Sequence, residues 1–246
     1  MNRGTGLLVL VGLTALLTLG VTHLPEAMAE SEVFRVSKVE VEGIRYLSEE
    51  EALAAAALPP DLNLWDPTEA VADRLRTHPL VREVRIRRKL PRTLVLDLVE
   101  REPVALLPTP VLTPVDPDGR RLPVDPSLHV LDLPLLRSEQ EDTGRGLNPG
   151  ELRLLAGEVH RLERLDPLLH ASLSDAGVGA WGEVVLRLAE PAVTMRYPPP
   201  LTPARLREGL LVLADALERH PDRTPEVVDL RFADQVVVRL TSPGRR

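Results

Sequence analysis

The chain has no cysteine in 246 residues and very few aromatics, 2% of the total. The first absence excludes disulfides, thiolate metal sites, cysteine nucleophiles and a lipidated cysteine. The second means that any core is built from Leu, Val and Ala. Basic residues are outnumbered, 30 against 37 acids, for a net charge of −7. That balance argues against a nucleic-acid protein, whose affinity rests on basic surface. Catalytic signatures are missing too: the sequence holds no G-x-S-x-G, H-E-x-x-H, P-loop or G-x-G-x-x-G. The six histidines (His23, His78, His129, His160, His170, His220) share no i,i+4 spacing, so they form no recognisable metal motif. His78 and His220 each precede a proline at an expected helix end, where contact with the last helix carbonyls explains them. The acids Glu49, Glu50 and Glu51 suit a first helical turn rather than acid–base chemistry. No residue pattern argues for an enzyme, a cofactor or a metal.

What is abundant is proline, 24 residues, about twice the usual share of ~5%, so segments are clearly punctuated. Gly4 to Leu24 carries no Asp, Glu, Lys or Arg. As a helix it would span about 30 Å, the thickness of a bilayer core. Arg3 precedes it and Glu26, Glu30 and Glu32 follow, which places the N-terminus in the cytoplasm and the remaining chain outside it. Two readings stand: an uncleaved signal anchor, or a signal peptide cut after Ala27-Met28-Ala29.

Beyond this lie two modules. In the first, Val36 to Val41 alternates as a strand and ends at Gly43. Ser48 and Glu51 form a capping box for an Ala-rich helix that stops before Pro59-Pro60. Asp66, Pro67 and Glu69 read as N-cap, first position and box for a second helix, with Val71 and Leu75 on one face. Two strands around Pro91-Arg92 complete an order β-α-α-β-β, with both helices on one face of a three-stranded sheet. The cluster Arg82, Arg85, Arg87, Arg88, Lys89 and Arg92 has no interleaved aromatic. It reads as a solvated strand face, with lipid headgroups as a further possible contact.

The second module opens with short proline-separated strands and the turn Asp116-Pro117-Asp118-Gly119. The polar stretch 137–146 reads as a mobile loop. Asn148-Pro149-Gly150-Glu151 begins a helix with Leu152, Leu155, Val159 and Leu162 inward. Strands follow in 171–175, 182–188 and 192–197. Thr202-Pro203 begins a second helix with Leu206, Leu210, Leu213 and Leu217 on one face. Val227 to Leu240 reads as a closing hairpin, and Asp229 and Arg231 share a strand face and pair locally. The fold class is therefore α+β: an N-terminal transmembrane helix, a small β-α-α-β-β domain, then a mixed or antiparallel β domain with two helices.

These residues resemble the FtsQ/DivIB family of bacterial cell-division proteins. In the first module the match to that family's POTRA domain lies in Val39-x-Val41-x-Gly43, Ser48-Glu49-Glu50, Asn63-Leu64-x-Asp66, Pro79-x-Val81, Val84-x-Ile86-x-Arg88 and Leu90-Pro91-x-Thr93-Leu94. Glu100-Arg101-x-Pro103-Val104-Ala105 marks the junction. In the second, the match lies in Val115-Asp116-x-Asp118-Gly119 and Val228-Asp229-Leu230-Arg231-Phe232. The resemblance implies a tail at 1–3, a single-pass anchor at 4–24, a POTRA domain at 34–103, a β domain at 104–242 and a tail at 243–246. It favours an uncleaved anchor in the inner membrane. It implies a non-enzymatic scaffold at the division septum, without cofactor or metal, that binds the small bitopic proteins FtsB and FtsL and helps regulate septal peptidoglycan synthesis. The partner site it implies is Phe232, Asp234, Gln235, Val236, Val237, Val238, Arg239 and Leu240, through addition of a strand. Aromatics that often mark this edge are sparse here, and Leu240 stands where some members carry one. Two other readings of the chain are a POTRA protein of outer-membrane assembly or secretion, and an exported binding domain released by cleavage.

Overall fold

The computed structural model describes residues 32–108, 111–139 and 146–241. The expected anchor at 4–24, the cleavage site at Ala29, most of the expected loop at 137–146 and the tail at 243–246 fall outside these residues. Among the described residues no helix is long and apolar enough to cross a membrane. The chain divides into two compact units, with the boundary between Arg101 and Glu102.

In the first unit the elements run β1 (Lys38–Glu42), α1 (Glu49–Ala56), α2 (Glu69–Arg76), β2 (Val81–Lys89) and β3 (Thr93–Glu100). The sheet order is β1-β3-β2, with β1 parallel and β2 antiparallel to the central strand. The capping box at α1 forms as the sequence requires: Ser48 Oγ accepts the Glu51 N–H, and the Glu51 carboxylate accepts the Ser48 N–H. The second box does not form. Thr68 is the N-cap of α2 and makes no side-chain cap bond. Asp66 instead accepts the Asn63 N–H at 2.7 Å, closing the preceding turn. The Asn63 backbone N–H, three residues back, competes for the carboxylate and wins. The His78 ring likewise turns from the helix carbonyls, its Nδ1 accepting the Leu80 N–H at 3.3 Å. Ala52, Ala56, Val71 and Leu75 pack with Leu94, Leu96 and Leu98 of β3 as an aliphatic core.

The opposite face of this sheet is polar, and its charges are segregated. Lys38, Glu40 and Glu42 stand on β1, Asp97 on β3, and Glu83, Arg85, Arg87 and Lys89 on β2. Arg87 reaches across β3 to Glu42 at 2.6 Å, and Lys89 to Glu40 at 3.1 Å. Four cations thus stand among four acids. A neutral face of this kind has little attraction for nucleic acid or anionic lipid.

The second unit is built on an eight-stranded mixed sheet. Its strands are β4 (Ala105–Leu107), β5 (Thr113–Val115), β6 (Leu135–Ser138), β7 (Leu173–Val178), β8 (Val184–Leu188), β9 (Val193–Tyr197), β10 (Pro225–Asp229) and β11 (Val237–Leu240). They lie in the order β11-β10-β9-β8-β7-β6-β4-β5. The expected helices are α3 (Pro149–Leu165) and α5 (Pro203–Arg219). A short α4 (Pro167–Ala171), capped by Asp166, raises the number in this unit from the expected two to three. The capping box of α3 joins Asn148 and Glu151, and Leu152, Leu155, Val159 and Leu162 are all buried. On α5 the expected apolar face is displaced. Leu206 and Leu213 are buried, but Leu217 is 39% exposed, and Gly209 takes a core position against Leu230. The helices and the alternate strand residues Val184, Leu186, Leu188, Val193, Met195, Tyr197 and Val228 share one core.

Candidate functional site

The closing hairpin forms as its alternation requires, with β10 and β11 antiparallel and Glu226 left as an extra, bulged residue. Its position in the sheet is the informative part. β10 is joined in parallel to β9 by way of α5, so β11 is the outermost strand on that side.

Ladder parity identifies which backbone groups of β11 point outward. Along a strand, residues that bond one neighbour alternate with those that bond the other. The Leu230 N–H bonds the Arg196 carbonyl of β9 at 2.7 Å. Val228 therefore faces β9 as well, and Val227 and Asp229 face β11, where their partners are Arg239 and Val237. Val237 and Arg239 bond home; Val238 and Leu240 turn their N–H and C=O groups out of the sheet. The Thr241 N–H, bonding the Thr224 carbonyl at 2.8 Å, continues the same alternation. At this far end Arg223 covers the strand, Nε 2.8 Å from the Thr241 carbonyl and Nη2 3.5 Å from that of Leu240. Side-chain defence is thin: Arg239 is the one charge on β11, whereas exposed edges are usually guarded by several.

The residues expected to bind a partner fall into two groups. Val237 to Leu240 form the edge strand itself. Phe232, Asp234 and Gln235 are exposed in the turn before it, and Val236 packs partly on the core. One side chain that sequence reasoning passed over holds this turn. Arg205 of α5 donates from Nε to the Leu230 carbonyl at 3.2 Å and from Nη2 to the carbonyls of Phe232 and Gln235. The start of the edge strand is thereby tied to the helix layer.

A cleft of about 610 Å³ lies beside this turn, lined by Trp181, Gly182, Glu183, Pro198, Pro199, Arg231 and Phe232. Trp181 is 80% exposed and Phe232 44% exposed. The Arg231 guanidinium lies 5.8 Å from the Trp181 ring centre. It is held from behind by Asp229 at 2.7 Å and by Glu183 at 3.2 Å. The Asp229 carboxyl is kept below the usual carboxylate range, first by its hydrogen bonds from Arg231. Trp181 stands fifty residues from Arg231 in the chain, so nothing local in the sequence joins them. Among the described residues no group of three His, Asp or Glu side chains is placed to hold a metal.

The β-α-α-β-β unit is a POTRA domain: residues 34–101 match the family described as "POTRA domain, FtsQ-type". Along more of its length the chain is similar to proteins named cell division protein FtsQ. The cell division protein FtsQ of Rhodothermus marinus is 28% identical over 215 residues, covering 85% of this chain and 78% of that protein. FtsQ of Bradyrhizobium diazoefficiens is 26% identical over 222 residues, covering 89% and 61%. FtsQ of Anaeromyxobacter sp. is 34% identical over 134 residues, covering 52% of this chain and 44% of that protein. The chain thus matches about half the length of some relatives and more of others.

Proposed function

We propose that this chain is a non-enzymatic scaffold of the division septum whose β11 edge takes an added strand from a small bitopic partner of the FtsB kind, with an FtsL-like protein in the same assembly. The supporting observation is the open edge: an outermost strand that turns Val238 and Leu240 outward and carries a single charge. Backbone pairing supplies affinity in this mode, and alternate side chains supply selectivity. Phe232 and the cleft beside it lie at the turn end of the same edge and offer an apolar seat for flanking residues. On this reading residues 4–24 anchor the chain in the inner membrane once, N-terminus inward. The POTRA domain serves recruitment of other division proteins, and the assembly contributes to control of septal peptidoglycan synthesis.

Two proline variants test the edge. Val238→Pro removes an outward donor from an edge strand, a place where proline is tolerated. It should abolish co-purification of the FtsB-like partner while the fold is kept. Val237→Pro removes a donor that bonds β10 and should lower the thermal midpoint instead. Unchanged partner capture by Val238→Pro overturns the strand-addition reading. A fluorescent fusion spread evenly over the envelope, with normal division after depletion, overturns the septal role.

A further inference from the structure

We infer that the outer face of α5 is a self-complementary seam, which pairs antiparallel with α5 of a second copy of this chain. The inference does not depend on the use made of β11.

Four residues of α5 are exposed in one series: Arg207, Leu211, Ala214 and Glu218. Their steps of four, three and four set them in a single line along the helix, the spacing of a coiled-coil seam. At 3.6 residues per turn this line lies roughly 140° around the helix from the buried set Leu206, Gly209 and Leu213. It therefore faces away from the sheet, and Leu211 is 64% exposed. Leu210 and Leu217 flank the line on one side. A cleft of about 330 Å³, lined by Leu165, Pro203, Leu210 and Leu211 among others, opens beside its first half. Arg205, which holds the turn before β11, leaves α5 on a different flank, roughly 150° from the seam.

Charge decides what covers this face. The other charges of α5 pair within the helix, Arg205 with Glu208 and Arg219 with Asp215. Arg207 and Glu218 have no ion pair among the described residues. A second α5 running antiparallel, with its two-fold axis midway between Leu211 and Ala214, satisfies both. Arg207 then meets Glu218 of the other copy, and Leu211 meets Ala214. Two-fold symmetry makes each pairing occur twice. At the centre a long side chain meets a short one, and opposite charges close the two ends. A parallel second helix is refused, because it sets Arg207 against Arg207 and Glu218 against Glu218. The contact takes one helix from each chain, so it belongs to the small, transient class of interfaces.

The sequence has no cysteine, so introduced thiols report their neighbours unambiguously. Two single-cysteine forms of the full chain, Leu211→Cys and Ala214→Cys, are mixed in neutral-lipid vesicles and treated with a short bismaleimide. They should be bridged into a dimer. A form carrying Ser127→Cys, on an exposed loop of the same unit, should not. Placed in both chains of the bridging pair, Arg207→Glu or Glu218→Arg should each weaken the dimer by about tenfold, since each breaks two ion pairs. The two changes together should restore it to within about twofold. No bridging, equal bridging at Ser127, or a double variant no better than the single ones overturns the inference. So does bridging of Ala214→Cys in cells to a different protein with none to a second copy.

Discussion

Asp229 and Arg231 close on each other at the end of β10 through two parallel bonds, Oδ1 to Nε at 2.9 Å and Oδ2 to Nη2 at 2.7 Å. Two-point pairing of this kind holds a guanidinium in one orientation, here with its plane beside Trp181 and its Nη1 on Glu183.

The pair makes stability depend on acid in a definite direction. The folded Asp229 carboxyl titrates below its unfolded value of about 4. Its contribution is therefore complete above pH ~4 and is lost as pH falls through the lower, folded value. Asp229→Asn should cost roughly 1–2 kcal/mol at neutral pH and should flatten the acid limb of the stability profile. Thermal melts of both proteins from pH 7 to pH 3 check this. Parallel profiles would remove Asp229 from the account.

Arg205 is expected to matter more than its position in the first turn of α5 suggests. Its three carbonyl acceptors lie on the Leu230 to Gln235 turn, and a charged donor is worth on the order of 2 kcal/mol when it satisfies such groups. Arg205→Met should lower stability by about that amount. It should also speed amide exchange at Val237 and Arg239, the home-bonded positions of β11, more than at Leu186 in the sheet interior.

Gly43 offers a sharper test of the POTRA unit. Its φ is +80°, and a Cβ there would stand 2.0 Å from the Leu98 carbonyl oxygen. Both the left-handed backbone and the contact exclude a side chain. Gly43→Ala should destabilise the unit by at least about 2 kcal/mol, read as a lower midpoint for unfolding of residues 34–101.

Local grammar carried far in this chain. Ser48 with Glu51 and Asn148 with Glu151 announce their helices because both partners of a capping box lie within four residues. The Val184 to Leu188 and Val193 to Tyr197 strands are legible because alternation is itself the signal. The failures have equally physical causes. Asp66 had backbone donors within reach on both sides, and spacing alone does not rank the Asn63 N–H before it above the helix N–H groups after it. Leu217 continues the helical period of α5 past the point where the sheet lies beneath it. The Trp181 cleft joins residues from separate hairpins. For β11 the strand was readable, but its place at the rim was not. Sheet order depends on α5 returning the chain to the far side of β9, a long-range event with no periodic trace. The outward set, Val238 and Leu240, needed the ladder.

The tie between Arg205 and the turn before β11 bears on how association is shared between two chains. An edge that was loose when free would have to be straightened on meeting a partner, and each side would lose conformational entropy. Here a guanidinium on a folded helix already holds the strand's entrance in place. If β11 takes an added strand as proposed, the ordering cost falls on the incoming segment alone. Affinity becomes adjustable through that segment's own stiffness, and changes in the partner's flanking sequence can tune the contact without any change on this side of it.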